Sequence, residues 1–112
     1  MKKRSLITII IVITIIILAY FLLNKPTPET SEEIARCIGE NSELYIQLGC
    51  HACKIQEEMF GENYQYLNIV DCIFNGEICL EKQIEFTPTW IINGEKYKGV
   101  QSIEKLQELT GC

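Results

Sequence analysis

A long apolar run near the N-terminus limits how much of this chain can enter a soluble core. Residues 6–23 read LITIIIVITIIILAYFLL and carry no charge. As a helix rising about 1.5 Å per residue, this run would be about 27 Å long. That length is close to the roughly 30 Å hydrocarbon thickness of a bilayer. The sequence therefore predicts a short basic tail and one transmembrane anchor within residues 1–25, followed by a separate domain.

A cleaved signal peptide is the alternative, because Lys2, Lys3 and Arg4 also suit its basic N-terminal part. However, the apolar run exceeds the usual ~7–15 residues of a signal peptide, and residues 21–25 offer no pair of small residues for cleavage. We therefore expect an uncleaved anchor. Basic residues precede the span, so the positive-inside rule predicts a single-pass protein of the cell membrane with a cytoplasmic N-terminus and an extracytoplasmic domain.

The chain beyond the anchor is acidic and contains every cysteine. From residue 26 onward, 6 Lys and Arg residues stand against 15 Asp and Glu residues, a formal net charge of −9. Such a surface is unsuited to nucleic acid, so we expect no partner of that class. The six cysteines are at positions 37, 50, 53, 72, 79 and 112. An even number of cysteines in a small translocated domain indicates disulfides.

Patterns of strand and helix alternate along the remainder of the chain. We expect a linker and the start of the first helix over residues 26–34, and one domain over residues 35–112. The predicted elements are a helix at 32–39, a strand at 44–48, a helix from 50 to 60, a strand at 66–70, a helix at 77–84, strands at 89–92 and 96–98, and a last helix capped by Ser102. Asn93 and Gly94 predict a type I′ hairpin turn. The order predicts an α/β fold with a mixed β-sheet flanked by helices.

A C-x-x-C motif, Cys50-His51-Ala52-Cys53, lies between a predicted strand and the first turn of a helix. Unpaired N–H groups at a helix N-terminus stabilise a thiolate, and the thiolate is the reactive species in disulfide exchange. This position predicts Cys50 as the nucleophile and Cys53 as the resolving thiol. His51 could stabilise the thiolate as an imidazolium, or it could be an ordinary exposed loop residue. Together with Ala52 it is a candidate for tuning the redox potential.

Thr87 and Pro88, which precede the predicted third strand, are the second candidate element of the site. An X–Pro bond favours trans by only about 0.5–1 kcal/mol, so a cis bond is accessible here. A cis bond would place the main chain of Thr87 beside the sulfurs, where a substrate strand can pair. The alternative is an ordinary trans proline that opens a strand. We assign Pro88 to the catalytic set with the two cysteines, and Thr87 to substrate docking.

Three segments together resemble the thioredoxin superfamily: the C-x-x-C motif, the Thr-Pro-Thr-Trp sequence at 87–90, and residues 92–102 (INGEKYKGVQS). In particular, residues 35–112 look like the thioredoxin-like domain associated with vitamin K epoxide reductase homologues. The resemblance implies a thioredoxin-like fold, a cis Pro88 and thiol–disulfide exchange at Cys50 and Cys53. It also implies a quinone-linked membrane partner that resembles vitamin K epoxide reductase.

This chain departs from that family at three positions. Its members usually carry an aromatic residue before the first cysteine and Pro-His between the pair, where this chain has Gly49 and then His51-Ala52. The buried strand carboxylate of ordinary thioredoxins corresponds to Leu44. These differences leave the direction of electron flow open.

The other four cysteines are interpreted as structural from their positions. Cys72 and Cys79 flank a turn and would close it, whereas Cys37 and Cys112 bracket the domain and would join its first helix to its tail. A zinc site is the alternative, formed by the C-x-x-C cysteines together with Cys72 and Cys79. Six residues separate the second pair, however, instead of the two to four that are typical of zinc ligands.

The sequence as a whole predicts a membrane-anchored thiol–disulfide oxidoreductase that acts on thiols and disulfides of translocated proteins. The sequence is compatible with either oxidation or reduction of these clients. We expect no metal and no cofactor besides the Cys50–Cys53 disulfide. The alternative is a function of a different class: a thioredoxin-like binding module that is stabilised by disulfides and has no catalytic activity.

Overall fold

The computed structural model describes residues 2–24 and 30–112. Helix α1 spans Lys2–Leu23, and none of its side chains is buried. It is long and apolar enough to cross a membrane, although a signal sequence near an N-terminus has the same features. Residues 26–29 of the predicted linker, which include Pro26 and Pro28, lie outside the described residues.

Residues 30–112 form a four-stranded mixed sheet flanked by helices. The helices are α2 (Glu32–Glu40), α3 (His51–Phe60), α4 (Gly76–Glu81) and α5 (Ile103–Thr110), with a 3-10 helix at Gly61–Tyr66. The strands are β1 (Glu43–Ile46), β2 (Ile69–Asp71), β3 (Thr89–Ile92) and β4 (Glu95–Lys98). The sheet order is β2-β1-β3-β4, with β1 parallel to β2 and the other two pairs antiparallel. This arrangement confirms the expected α/β, thioredoxin-like fold.

Local sequence signals set the hairpin and two of the helix starts. Asn93 and Gly94 have φ angles of 52° and 79°, the positive values that a type I′ turn needs at both central residues. The side chain of Ser31 accepts a hydrogen bond from the Ile34 N–H and begins α2. Ser102 caps α5 in the same way. These predictions from the sequence are confirmed.

The hydrophobic core packs between the sheet and helices α2, α3 and α5. Its buried members are Ala35, Ile38, Leu44, Phe60, Leu67, Trp90, Ile92 and Leu106. The rings of Phe60 and Trp90 lie 6.1 Å apart between centroids, so α3 is packed directly against β3. Burying one large apolar side chain contributes roughly 1.5–3 kcal/mol, and these contacts fix the position of α3 on the sheet.

Gly39 does not end the first helix of the domain, as the sequence predicted, but lies buried inside α2. A Cβ atom at this position would overlap the carbonyl oxygen of Tyr66. Glycine is therefore required by the close approach of α2 to the end of the 3-10 helix.

Three predicted boundaries are wrong. The strand expected at 66–70 begins only at Ile69, because the preceding residues form the 3-10 helix and Leu67 packs into the core. The helix expected at 77–84 ends at Glu81, and Gln83 has a φ of 55° that is incompatible with continuing it. Strand β1 ends at Ile46 instead of residue 48.

The inward face of α3 also differs from the predicted one. The helical spacing of the sequence predicts Ile55 on the same face as Met59 and Phe60, but Ile55 is exposed, whereas Gln56 is fully buried. Its Oε1 accepts hydrogen bonds from Trp90 Nε1 at 3.0 Å and from the Gln101 N–H at 2.8 Å, and its Nε2 donates to the Gln101 carbonyl at 3.1 Å. A buried amide with these partners leaves no polar group unpaired. Gln56 thus links α3 to β3 and to the segment before α5.

Candidate redox site

The two cysteines of the C-x-x-C motif form a disulfide at the beginning of α3. Cys50 is the N-cap residue, and its Sγ accepts a hydrogen bond from the Cys53 N–H at 3.1 Å. The Cys50 N–H donates to the Gln47 carbonyl at 3.0 Å, directly after β1. The sulfur therefore lies where the sheet ends and a helix starts. There, backbone N–H groups would stabilise the thiolate that forms when the disulfide opens.

The two sulfur-bearing residues differ in accessibility. Cys50 is half-buried, whereas Cys53 is only 5% exposed. An outside thiol or disulfide can react only with a sulfur that it can reach, so this arrangement suits Cys50 for the first attack and Cys53 for resolution. His51 is exposed and Ala52 is half-buried.

The segment before β3 lies against the accessible sulfur. The Thr87-Pro88 peptide bond is cis, and the Thr87 carbonyl oxygen is 3.6 Å from Cys50 Sγ. Pro88 is fully buried, and its carbonyl accepts a hydrogen bond from the Gly99 N–H at 2.7 Å. The Thr89 hydroxyl donates to the Phe86 carbonyl at 2.6 Å. These bonds hold the main chain of Thr87 beside Cys50.

A cleft of about 400 Å³ opens beside the disulfide and contains side chains that the sequence analysis did not identify. Glu57 from α3, Tyr64 from the 3-10 helix and Asp71 from β2 line it together with Cys50 and Cys53. Burial, followed by the charges of Glu57 and Asp71, raises the pKa of Tyr64 to about 12. Its hydroxyl therefore stays protonated at neutral pH and can donate a hydrogen bond in the cleft.

A second cleft, of about 270 Å³, connects the segment around Cys72 with the segment before β3. Its lining residues are Gln47, Cys72, Ile84, Glu85, Phe86 and Thr87. The Cys72 N–H donates to the Ile46 carbonyl at 2.8 Å, and the next carbonyl, that of Gln47, bonds the Cys50 N–H. The loop that follows β2 and the C-x-x-C loop therefore start side by side at the same edge of the sheet.

All six cysteines are paired in the structure. Cys72 is bonded to Cys79, and Cys37 to Cys112, which are the pairs expected from their positions. The four cysteines of the zinc alternative form two disulfides. Across residues 2–24 and 30–112, no group of three or more His, Cys, Asp and Glu side chains is arranged to hold a metal ion.

Comparison with known sequences finds similarity to a curated oxidoreductase. No protein-family model matches the chain. Over 79 residues it is 35% identical to the thiol-disulfide oxidoreductase LTO1 of Arabidopsis thaliana. The alignment covers 62% of this chain but only 21% of that protein, so the chain spans about a fifth of the length of this relative.

Comparison with solved structures finds matches at low similarity. The NTD_N/C domain of alkylhydroperoxide reductase AhpF from Enterococcus faecalis matches 84% of this chain and 51% of that chain, with 19% identity and a TM-score of 0.48. Oxidised thioredoxin from Plasmodium falciparum matches 73% of this chain and 90% of that chain, with 20% identity and a TM-score of 0.47. The fold assignment rests instead on the strand order and the site geometry described above. By these criteria, residues 30–112 form a thioredoxin-like domain with a C-x-x-C disulfide at the start of α3.

Proposed function

We propose that this chain is a thiol–disulfide oxidoreductase that acts through Cys50 and Cys53. The observation that carries the proposal is the position of the disulfide. The half-exposed Cys50 caps a helix beside the Thr87 carbonyl, and the buried Cys53 follows one turn later. The sequence similarity to LTO1, itself a thiol-disulfide oxidoreductase, supports the same chemistry.

In the reducing direction, the Cys50 thiolate attacks one sulfur of a client disulfide. The client S–S bond breaks, a mixed disulfide forms, and the departing client thiolate takes up a proton. Cys53 then loses its proton and attacks the Cys50 sulfur, which releases the second client thiol. Two electrons and two protons have moved from the enzyme dithiol to the client. The oxidising direction reverses each step.

The equilibrium potential of the Cys50–Cys53 couple, measured against glutathione, tests the function and decides its direction. A potential near about −120 mV marks an oxidant of client thiols, and one near about −270 mV marks a reductant. If the couple exchanges with neither glutathione nor dithiothreitol, catalysis is excluded and the alternative of a non-catalytic binding module takes its place.

We further propose that α1 is an uncleaved anchor in the cell membrane. Its length, its apolar composition and the basic residues Lys2, Lys3 and Arg4 before the span support this proposal. The N-terminus is then cytoplasmic and residues 30–112 are extracytoplasmic. Mass spectrometry of the membrane-extracted protein should detect a peptide from the first 25 residues, and a mature N-terminus beyond Lys25 would exclude the anchor.

For recharging, we propose a quinone-linked membrane protein similar to vitamin K epoxide reductase. The resemblance stated above and the proposed anchor, which would keep the domain near such a partner, support it. The Cys53→Ala variant should accumulate a mixed disulfide between Cys50 and this partner, visible on a non-reducing gel and identifiable by mass spectrometry. Accumulation of complexes with soluble clients alone would contradict the proposed partner.

A further inference from the structure

The resolving step of the proposed exchange requires Cys53 to lose its thiol proton before its sulfur attacks Cys50. Cys53 is only 5% exposed, so bulk water has little access to that proton. Burial also disfavours a thiolate that has no partner for its charge. A group beside Cys53 that accepts the proton would therefore accelerate resolution, as general bases do.

The buried side chains of the domain do not supply such a base. Gln56 follows Cys53 by three residues on α3, but its amide already bonds Trp90 and Gln101. Within the described part of the chain, the buried polar side chains are Thr30, Ser42, Gln56 and Thr89. Hydroxyl and amide groups do not accept a proton at neutral pH. The proton of Cys53 must therefore leave on the side of the cleft that opens beside the disulfide.

Two carboxylates are the candidates in this cleft. Apart from the cysteines, the side chains in it that titrate are His51, Lys54, Glu57, Tyr64 and Asp71. The Lys54 ammonium has only donors, and the pKa of Tyr64 is raised to about 12, so its phenol keeps its proton. His51 precedes Cys53 by two residues, and side chains at that spacing on a helix do not face each other. Glu57 and Asp71 remain.

Helix geometry favours Glu57 over Asp71. Glu57 follows Cys53 by four residues on α3, a spacing that places the two Cβ atoms about 5–6 Å apart on one face. Helical side chains lean toward the N-terminus of their helix, so the glutamate side chain extends back over the turn that contains Cys53. Asp71 is on β2, and its Oδ1 already accepts a hydrogen bond from the Ile73 N–H at 2.9 Å.

The Glu57 carboxylate is also free to act in the cleft. Neither ion pair within residues 2–24 and 30–112 involves it. Burial is the largest cause of the raised pKa of Tyr64, and the charge of Glu57 is the next, ahead of that of Asp71. The glutamate charge therefore acts inside the cleft that Tyr64 and Cys53 share. Its side chain is exposed, so a proton on it can pass to a client at the opening of the cleft.

We propose that Glu57 accepts the proton of Cys53 during resolution and then passes it to the departing client thiolate. The inference rests on the proposed function and adds a third residue to its chemistry. The S–H bond of Cys53 breaks as the proton moves to the Glu57 carboxylate, directly or through one water molecule. The Cys53 sulfur then bonds the Cys50 sulfur, the bond from Cys50 to the client breaks, and the client thiolate takes the proton from Glu57. The carboxylate ends the step ionised, as it began.

The test separates the two attacks with Ellman's reagent, added in equimolar amount to the full chain in lipid nanodiscs with Cys50 and Cys53 reduced. Attack by Cys50 releases one thionitrobenzoate anion and leaves a second one bonded to Cys50. Attack by Cys53 on this mixed disulfide then releases the second anion. The absorbance of thionitrobenzoate therefore rises in a first phase that reports Cys50 and a second phase that reports Cys53.

Glu57→Gln should slow the second phase and not the first. At about pH 6.5 the second phase should fall about a hundredfold, the low end of what general acid–base catalysis contributes, while the first stays within about threefold. By about pH 9 the second phase should lie within about threefold of that of the natural sequence, because hydroxide then removes the proton without a local base.

Glu58→Gln is the matched control, because Glu58 is the next residue of α3, is exposed and does not line the cleft. Both of its phases should equal those of the natural sequence. In Glu57→Gln, added acetate should restore part of the second phase in proportion to its concentration, because a small carboxylate can enter the open cleft and take the proton.

Other roles of Glu57 predict different results. Disturbed packing would slow both phases equally at every pH, and loss of a negative charge alone would speed the second phase by favouring the thiolate. Either result, or a slower second phase in Asp71→Asn but not in Glu57→Gln, would overturn the proposal. If the natural sequence shows no first phase, the proposed function itself fails and the inference fails with it. Two phases that do not change in Glu57→Gln remove only the proton acceptor.

Discussion

Two disulfides of this domain differ in the length of chain that they close and in what surrounds them. Cys50–Cys53 joins residues 3 apart, whereas Cys37–Cys112 joins residues 75 apart. A chain-entropy estimate gives about 4 kcal/mol of stabilisation for the long closure and less than about 2 kcal/mol for the short one. The short bridge can therefore open and close during a reaction at little cost to the fold, while the long bridge is part of what holds the fold together.

The two bridges also differ in their surroundings, and this difference again makes the short bridge the reactive one. Cys50 caps α3 and is half-exposed beside the Thr87 carbonyl. At the other bridge, Cys112 packs against the hydrophobic core, and the amide of Asn41 lies 3.8 Å and 4.0 Å from the two sulfurs. The comparison teaches that reactivity follows from position at a helix N-terminus, and stability from the length of chain closed.

The largest expected effect is on exchange chemistry. Cys50→Ser should lower the rate of disulfide exchange at least a thousandfold, because Cys53 is only 5% exposed, and should lower the free energy of unfolding by less than about 2 kcal/mol. Cys53→Ala should instead accumulate mixed disulfides, because the resolving thiol is missing. In a time course with iodoacetamide, Cys50 of the reduced protein should be alkylated faster than Cys53. Faster alkylation of Cys53, or trapping by a Cys50→Ala variant, would reverse the assigned roles.

The next largest effect is on stability. Replacing Cys37 and Cys112 together by Ser should lower the free energy of unfolding by about 4 kcal/mol, measured by denaturant unfolding of the oxidised protein. The double variant avoids a free thiol that could pair wrongly. Cys50→Ser with Cys53→Ser is the control and should lose less than half as much. A larger loss of unfolding free energy in this control would contradict the conclusion that the long bridge stabilises the fold more than the short one.

Cys72–Cys79 provides an intermediate case. Its sequence separation of 7 predicts a stabilisation of about 2 kcal/mol. Titration with a mild reductant, followed by mass spectrometry of alkylated peptides, should open Cys50–Cys53 first and this bridge later. If both open at one potential, Cys72 and Cys79 belong to the redox chemistry. Stoichiometric zinc bound by the reduced protein would revive the metal-site alternative.

The smallest effect concerns Tyr64 in the cleft beside the short bridge. Its pKa is raised to about 12, so the folded protein favours the protonated phenol. The resulting stability is fully present below the ordinary tyrosine pKa of about 10 and is lost as the pH rises from there through about 12. Glu57→Gln should lower the pKa of Tyr64 by less than about one unit. The absorbance of tyrosinate, with Tyr64→Phe as the reference, measures the shift, and an unchanged titration would place Glu57 too far away to act.

The parts of the fold that sequence predicted are those set by local chemistry. The hairpin follows from two residues that tolerate positive φ, Asn93 and Gly94. The position of the C-x-x-C motif follows from a strand that ends shortly before a helical pattern begins, and Ser31 and Ser102 cap the helices that they precede. None of these features needs a distant partner.

The parts that sequence missed depend on tertiary contacts. The burial of Gln56 depends on its bonds to Trp90 and Gln101, which are far from it in the sequence. A polar side chain three residues after Cys53 on the buried stripe of α3 was the available signal. The cleft residues Glu57, Tyr64 and Asp71 come from three elements, so no spacing in the sequence brings them together. The 3-10 helix has no repeating pattern of apolar residues. Its two tyrosines belong to a residue type that is typical of strands.

The attachment of Thr30 and the long bridge also determine how the domain would bear mechanical load. A pull applied to the chain before the domain would reach it at Thr30 and the end of α3, and would first peel the N-terminal part of α2. Peeling would stop at Cys37, where a covalent bond passes the force to Cys112. When the opposing pull acts at Cys112, the force bypasses the backbone between these two cysteines, which includes Cys50, Cys53 and the whole sheet. Tension between the two ends of the domain would therefore leave the redox site undistorted, whereas tension on a client bonded to Cys50 would pass through that site.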